Sequence, residues 1–310
     1  MESMSEAMPV MLPAGMPVFM PAVQEEEKTE EIATPVIQDE PKTKTESVCK
    51  ILMDGSVFKE IFGSVMALTP ECRLNIYPDH ISVCCVNNAN VSMVSLDYQH
   101  GIFESYKGPA EKIQIGIDVS AIYSLRTMVK KGSLVLMDFI CKTEPAKRGE
   151  DGKIIDEKKE YSYSVSIEGT TTDSRALDVN TIRREPHPPA IELKTSIDLK
   201  SEYFIQGIKD GSKISDKVAL VFNQDTFSMV FDGDTRKMDK IVSILSSHTT
   251  DTGNKSRSLF SIDYLKDIVK TLDKKEVITL KIGTDVPMSL IRRNEHREII
   301  YLLAPRVEAN

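Results

Sequence analysis

The five histidines, at positions 80, 100, 187, 248 and 296, are the residues best able to carry acid–base or metal chemistry, and their spacing serves neither. No HxxxH or HExxH pair, GxSxG nucleophile elbow or glycine-rich phosphate cradle is present. Asp232-Gly233-Asp234 resembles a calcium-loop fragment, but it separates two alternating apolar runs, where a hairpin turn is expected. Cys84-Cys85 lies in another such run and reads as core and pleat rather than a redox pair. The five cysteines (49, 72, 84, 85, 141) make no CxxC motif, which fits a reducing intracellular compartment. The remaining chemistry is cationic. Lys209 and Lys213 are four apart, as are Lys266 and Lys270, so each pair shares one helical face. Lys59, Arg126 and Lys130 also fall off the apolar stripes of predicted helices. Singly these are solvated side chains; gathered on one side of a molecule, they would form a surface for phosphates, diluted by Asp210, Asp263 and Asp267. Neither catalysis nor a cofactor or metal is expected.

The elements that must gather them follow from periodicity. A strand (VCKILM) precedes Asp54, Gly55 and Ser56, a helix start, after which Phe58, Ile61, Phe62, Val65 and Leu68 recur at helical spacing until Pro70. Alternating strands CRLNIYP, HISVCCV and VSMVSLDY come next. Strand IQIGI and Asp118 open a second unit, with Val119, Ile122, Leu125 and Val129 on one helical face and further strands from Leu134. The charged stretch from Cys141 to Glu160 predicts a long exposed hairpin loop. Beyond Leu193 the plan repeats twice more, with helices carrying Phe204, Ile205 and Ile208, then Leu265, Ile268, Val269 and Leu272. One unit, strand–short helix–antiparallel strands, thus occurs four times, which predicts an α+β fold of two similar domains.

Residues 1–47 carry ten acids and three lysines, so nearly all of the formal charge of −8 sits there and the body is close to neutral. Six methionines, several prolines and no periodicity predict a disordered acidic tail; the alternative, a targeting or docking segment in MPVMLPAGMPVFMPAV, lacks a basic n-region, and its prolines spoil an amphipathic helix. No run approaches the ~18 apolar residues a membrane span requires. The expected divisions are the tail (1–47), a first domain (48–176), a connector (177–192) and a second domain (193–310). Pro186, Pro188 and Pro189 rule out a helix in the connector and argue against a central strand. It is either a plain boundary or one wall of a binding groove.

ANVSMVSLDY (89–98), DVNTIRREP (178–186), SLFSIDYLKDIVK (258–270), DVPMSL (285–290) and YLLAPRVE (301–308) resemble the DNA polymerase sliding clamps of the proliferating cell nuclear antigen type, archaeal members above all. The resemblance implies a homotrimeric ring with helices lining a central hole, through which duplex DNA threads without regard to sequence. It implies an intracellular, nucleoid-associated protein that tethers polymerase and other replication and repair proteins. Lys209, Lys213 and Lys270 fall where relatives place basic residues, with Lys266 one turn from Lys270. Met66, Ser124 and Thr127 replace frequent lysines, leaving Lys59, Arg126 and Lys130 as substitutes. Ring edges are implied near Thr170–Ala176 and Lys237–Ser243.

The resemblance also implies that polymerase, clamp loader, flap nuclease and ligase dock through a short peptide with a glutamine, an aliphatic residue and two aromatics. The matching positions here are Val91, Met93, Ile182, Pro186, Val286, Pro287, Ala304 and Pro305. On this reading Ile182→Asp abolishes peptide binding without disturbing either domain core. The alternatives are a heteromeric or checkpoint-type clamp subunit, or a DNA-processing enzyme with a cryptic site.

Overall fold

An aspartate ends the first strand and starts the first helix. The computed structural model describes residues 43–148, 154–155, 157–187, 190–250 and 255–307. Strand β1 (Lys44–Asp54) ends where the Asp54 carboxylate accepts the Ser56 amide at 2.7 Å, satisfying a donor that the helix cannot use. The Ser56 hydroxyl and amide together hold the Asp54 carboxyl below its ordinary range. Helix α1 (Gly55–Met66) buries Phe58, Ile61, Phe62 and Val65, as its spacing predicts. Its first residue must be glycine, because a Cβ there would lie 2.2 Å from a Val129 methyl. Strands β2 (Glu71–Ile76), β3 (His80–Val86), β4 (Ser92–Gln99) and β5 (Ser105–Lys107) complete the unit.

The second unit comprises β6 (Ile113–Asp118), α2 (Val119–Ser124), β7 (Leu134–Glu144), the short β8 (Lys147–Arg148) and β9 (Ile154–Ile155), β10 (Lys158–Ile167) and β11 (Thr170–Arg175). Here α2 is shorter than the apolar spacing out to Val129 suggests. The Ser124 hydroxyl donates to the Ala121 carbonyl at 2.6 Å, Arg126 donates to the Tyr123 carbonyl, and Thr127 to that of Ser124. Side chains thus compete for the carbonyls that would propagate the helix, and Leu125–Thr127 tightens into a 3₁₀ turn.

The third unit is β12 (Thr195–Lys200), α3 (Ser201–Gly211), β13 (Lys217–Asn223), β14 (Thr226–Asp232), β15 (Lys237–Val242) and β16 (Ser246–Thr249). The fourth is β17 (Lys255–Ser261), α4 (Ile262–Val269), β18 (Val277–Ile282), β19 (Met288–Arg293) and β20 (Arg297–Leu303). Their strands build antiparallel sheets of five (β11-β10-β7-β1-β5), nine (β16-β12-β18-β19-β20-β4-β3-β2-β6) and four strands (β15-β14-β13-β17). The nine-stranded sheet runs through both halves because β20 pairs with β4 from Arg297–Tyr98 to Leu303–Ser92. Helix α1 packs on α2 and α3 on α4, their apolar faces joining one buried cluster with the sheets.

Two boundaries differ from expectation. Strand β1 begins at Lys44 rather than near Val48, paired with Thr143 on β7, so the last residues assigned to the tail belong to the sheet; residues 1–42 lie outside the described residues. The Cys141–Glu160 loop is shortened from both ends, because β7 continues to Glu144 and β10 starts at Lys158. Alternating charge permits this: Lys142 pairs with Glu144 at 3.0 Å and Lys158 with Glu160 at 2.7 Å.

A buried ion cluster joins the halves on the helix side. Arg292 of β19, 1% exposed, bonds Glu60 of α1 at 2.6 Å and Glu276 at 2.7 Å. Arg297 of β20 contacts the same two carboxylates, and the Tyr98 hydroxyl donates to Glu60 at 2.8 Å. Burial opposes the Arg292 charge, but the facing carboxylates outweigh it and raise its pKa.

Candidate functional site

The helix lysines stand on the faces opposite the apolar stripes. Lys209 is exposed and has no ion pair among the described residues. Lys213, two residues past the end of α3, reaches Asp210 at 3.8 Å, Lys266 of α4 reaches Asp263 at 3.4 Å, and Lys270, the residue that caps α4, reaches Asp267 at 2.7 Å. Such exposed pairs contribute about 0–1 kcal/mol, so a phosphate can displace the aspartate at little cost. In the first half, the Lys59 ammonium donates to the Val129 carbonyl at 2.8 Å. Arg126 lies over the Tyr123 ring, 4.4 Å from its centroid, while Lys130 is exposed. Lys59 and Lys270 line one cavity of about 700 Å³ between α1 and the end of α4. The two helix pairs therefore share a side of the molecule.

Two sheets end in open edges. The β14–β15 hairpin closes with the Gly233 amide donating to the Arg236 carbonyl at 3.0 Å, so Asp232-Gly233-Asp234 is the expected turn. Among the described residues no cluster of three or more metal-ligating side chains occurs. Counting from that bond, Phe231–Met238, Met229–Lys240 and Phe227–Val242 are the hydrogen-bonded pairs. Alternation then turns the amides of Lys237, Asp239 and Ile241 outward, away from β14. On β11, the Ala176 amide donates to Tyr161 at 3.1 Å, in phase with the pairs Tyr163–Ser174, Val165–Thr172 and Ile167–Thr170. The outward amides there are those of Thr171, Asp173 and Arg175. Both strands end their sheets, and the Ile241 side chain is 73% exposed. Two six-residue edges, each with donors and acceptors unmet, can pair with each other.

The connector has no helix or strand among its described residues. It is strapped across β2, β3 and the Asn87–Asn90 loop by side chains. Arg73 donates to the Ile182 carbonyl at 2.7 Å, Asn75 to the Glu185 carboxylate, and the Cys84 thiol to the Pro186 carbonyl at 3.6 Å. Arg183 donates to the Asn87 carbonyl at 3.1 Å and bonds the Asn90 side chain. Burial pushes the Cys84 thiol up to about 11, so it stays protonated and packs as a small apolar group. Cys85 points into the core, completing the pleat expected of the pair.

Above this strap lies a groove of about 410 Å³. Val91 and Met93 from the central loop, Pro186 from the connector, Pro287 before β19 and Ala304 after β20 all line it. Three predicted members do not. Ile182 is 4% exposed and tucked beneath the connector, and a Cβ on Gly116 would come 2.7 Å from its Cδ1. An aspartate there would bury a charge, so the expectation that Ile182→Asp spares the fold is withdrawn. Val286 turns toward Gly283 while its carbonyl accepts the Ser258 hydroxyl at 3.2 Å. Pro305 is half-buried off the wall, between Ala304 and Arg306, whose amides bond Val91 and Leu259. Sequence reasoning missed Arg184 and His187 on the rim, because charged connector residues default to solvent.

The family model for the N-terminal domain of proliferating cell nuclear antigen matches residues 49–144. The chain is 33% identical over 268 residues to the DNA polymerase sliding clamp of Methanosphaerula palustris, covering 83% of this chain and 98% of that one. It is also 33% identical to the DNA polymerase sliding clamp of Methanoculleus marisnigri, over 84% and 99% of the two chains. Among solved structures, A. fulgidus PCNA bound to the C-terminal region of FEN-1 superposes with a TM-score of 0.72. That chain is 25% identical, and the match covers 84% of this chain and 100% of the other. PCNA of Thermococcus kodakaraensis, 15% identical with a TM-score of 0.69 over 83% and 100%, shares the fold.

Proposed function

The chain belongs to the DNA polymerase sliding clamp family, and from that premise we propose that three copies join head to tail, β11 of one along β15 of the next, into a ring around duplex DNA. A clamp of this kind tethers replication proteins to their template, raising their effective concentration at the next nucleotide. The observation that carries the ring is the pair of open edges, equal in length and each presenting three outward amides. Residues 44–176 and 193–310 act as two similar arcs, with 177–192 as the strap between them. The helices face the hole, where Lys209, Lys213, Lys266 and Lys270, with Lys59, Arg126 and Lys130, meet phosphates. Such contacts carry no sequence information, which suits a protein that must slide. Its contribution is topological rather than catalytic. Polymerase, clamp loader, flap nuclease and ligase insert an apolar peptide segment into the groove of Val91, Met93, Pro186, Pro287 and Ala304.

The test combines mass and processivity. Light scattering on the chain alone should give three times the subunit mass, and its addition to a primed circular template should lengthen polymerase products. A monomer that assembles only with a second clamp-like chain would replace the homotrimer with the heteromeric reading. A trimer without effect on product length would overturn the tethering role on that template.

A further inference from the structure

Among the described residues, every ionisable side chain on the groove wall is basic. Its lining includes Arg183, Arg184 and His187 and not one carboxylate. Arg183 is committed to Asn87 and Asn90. Arg184 and His187 are exposed and make no ion pair among the described residues. The acid in the same stretch, Glu185, is drawn beneath the connector, where Asn75 donates to it. It therefore adds no negative charge to the groove wall. Above the strap, two arginines and the His187 imidazole flank an apolar floor of Val91, Met93, Pro186, Pro287, Leu302 and Ala304.

We propose that this groove selects partner peptides whose apolar anchors are flanked by aspartate or glutamate, and discriminates against basic flanks. The inference rests on the groove being the peptide site. Rim charges act on specificity and encounter more than on total affinity, and the exposed Arg184 guanidinium should favour acidic over neutral flanks by about 2- to 5-fold at low salt.

Two fluorescent peptides with one glutamine–aliphatic–aromatic–aromatic core, one flanked by glutamates and the other by lysines, are titrated with the full chain by anisotropy. The acidic peptide should bind more tightly, and the gap should close as salt shortens the Debye length. The double variant Arg184→Glu, His187→Glu should reverse the preference, with an unchanged melting curve showing that the fold is intact. Equal binding of both peptides to the native chain overturns the charge preference and leaves the groove reading standing. Binding of neither peptide removes the groove reading and the preference with it. Ala304→Asp, on the wall, should abolish both complexes. Survival of the acidic complex in that variant would mean the peptide sits elsewhere, against the proposal.

Discussion

Proline at Ile241 separates the proposed ring contact from the fold of the subunit. The Ile241 amide points away from β14, so removing it breaks no bond within the chain, and the neighbouring inward pairs Met229–Lys240 and Phe227–Val242 persist. The side chain is 73% exposed and gives up little burial. Across the subunit contact the effect is different. The ladder loses one hydrogen bond, about 0.5–1.5 kcal/mol net, and the facing carbonyl is left without a donor, about 1–3 kcal/mol. Taking about 1–3 kcal/mol per contact gives roughly a 5- to 150-fold weakening of each edge. A closed trimer has three such contacts, so the ring loses about 3–9 kcal/mol. Light scattering across a dilution series should show monomers at micromolar concentration, with a melting temperature close to that of the native subunit. Lys240→Pro is the matched control, since its amide points inward to β14, and it should destabilise the subunit itself. A trimeric Ile241→Pro protein would refute the edge assignment. An unfolded one would refute the alternation that turned this amide outward.

Charge reversal of Lys209, Lys213, Lys266 and Lys270 to glutamate should shorten polymerase products at moderate salt, the deficit narrowing as higher salt screens the native contacts, while leaving the trimer mass unchanged. Unaltered product lengths across the salt series would remove these residues from the DNA face. Glu60→Gln strips one carboxylate from Arg292 and Arg297, and breaking a buried pair costs about 3–5 kcal/mol. Calorimetry should show a melting temperature lower by roughly 6–12 °C, and a loss under a degree would mean the cluster contributes nothing net. Ile182→Asp should lower both the melting temperature and peptide affinity, whereas Ile182→Val should cost only about 0.5–1.5 kcal/mol. An aspartate variant as stable as the native chain would return Ile182 to the groove wall. Hydrogen bonds to the Asp54 carboxylate stabilise the folded form above the ordinary aspartate value of 3.8, and that support fades as pH falls through the lower folded value. Asp54→Ala should therefore destabilise at neutral pH by about 0.5–2 kcal/mol and narrow its deficit in acid.

Burial decided which regions of the molecule were legible in advance. The stripe Phe58, Ile61, Phe62, Val65 announced α1 because one face of that helix enters the core. Thr45, Glu46 and Ser47 gave no strand signal because they are exposed, and they are held in the sheet by pairing with Lys142, Cys141 and Ile140 of β7. At α2 the apolar spacing misled, since it does not register hydroxyls bonding backward to carbonyls. The apolar floor of the groove was found by family resemblance, and Ile182 misplaced, because spacing along a strap does not say which residues turn under it. Arg292 was unreadable from sequence. It sits at a strand end like a solvated arginine, while its partner Glu60 is 232 residues away.

The pairing of β20 with β4 gives the subunit an order of mechanical weakness. Its own midline is crossed by a ladder of seven residue pairs in a continuous nine-stranded sheet, reinforced by the Arg292 cluster. In a ring, the joints between subunits would instead be two bare six-residue edges of mostly hydroxyl and charged side chains. Force applied to such a ring concentrates at those joints, so each subunit behaves as a stiff arc and any gate for DNA opens between arcs. A partner that opened the proposed ring would have to unzip a single joint and flex the remaining two, without disturbing the hydrophobic core of any subunit.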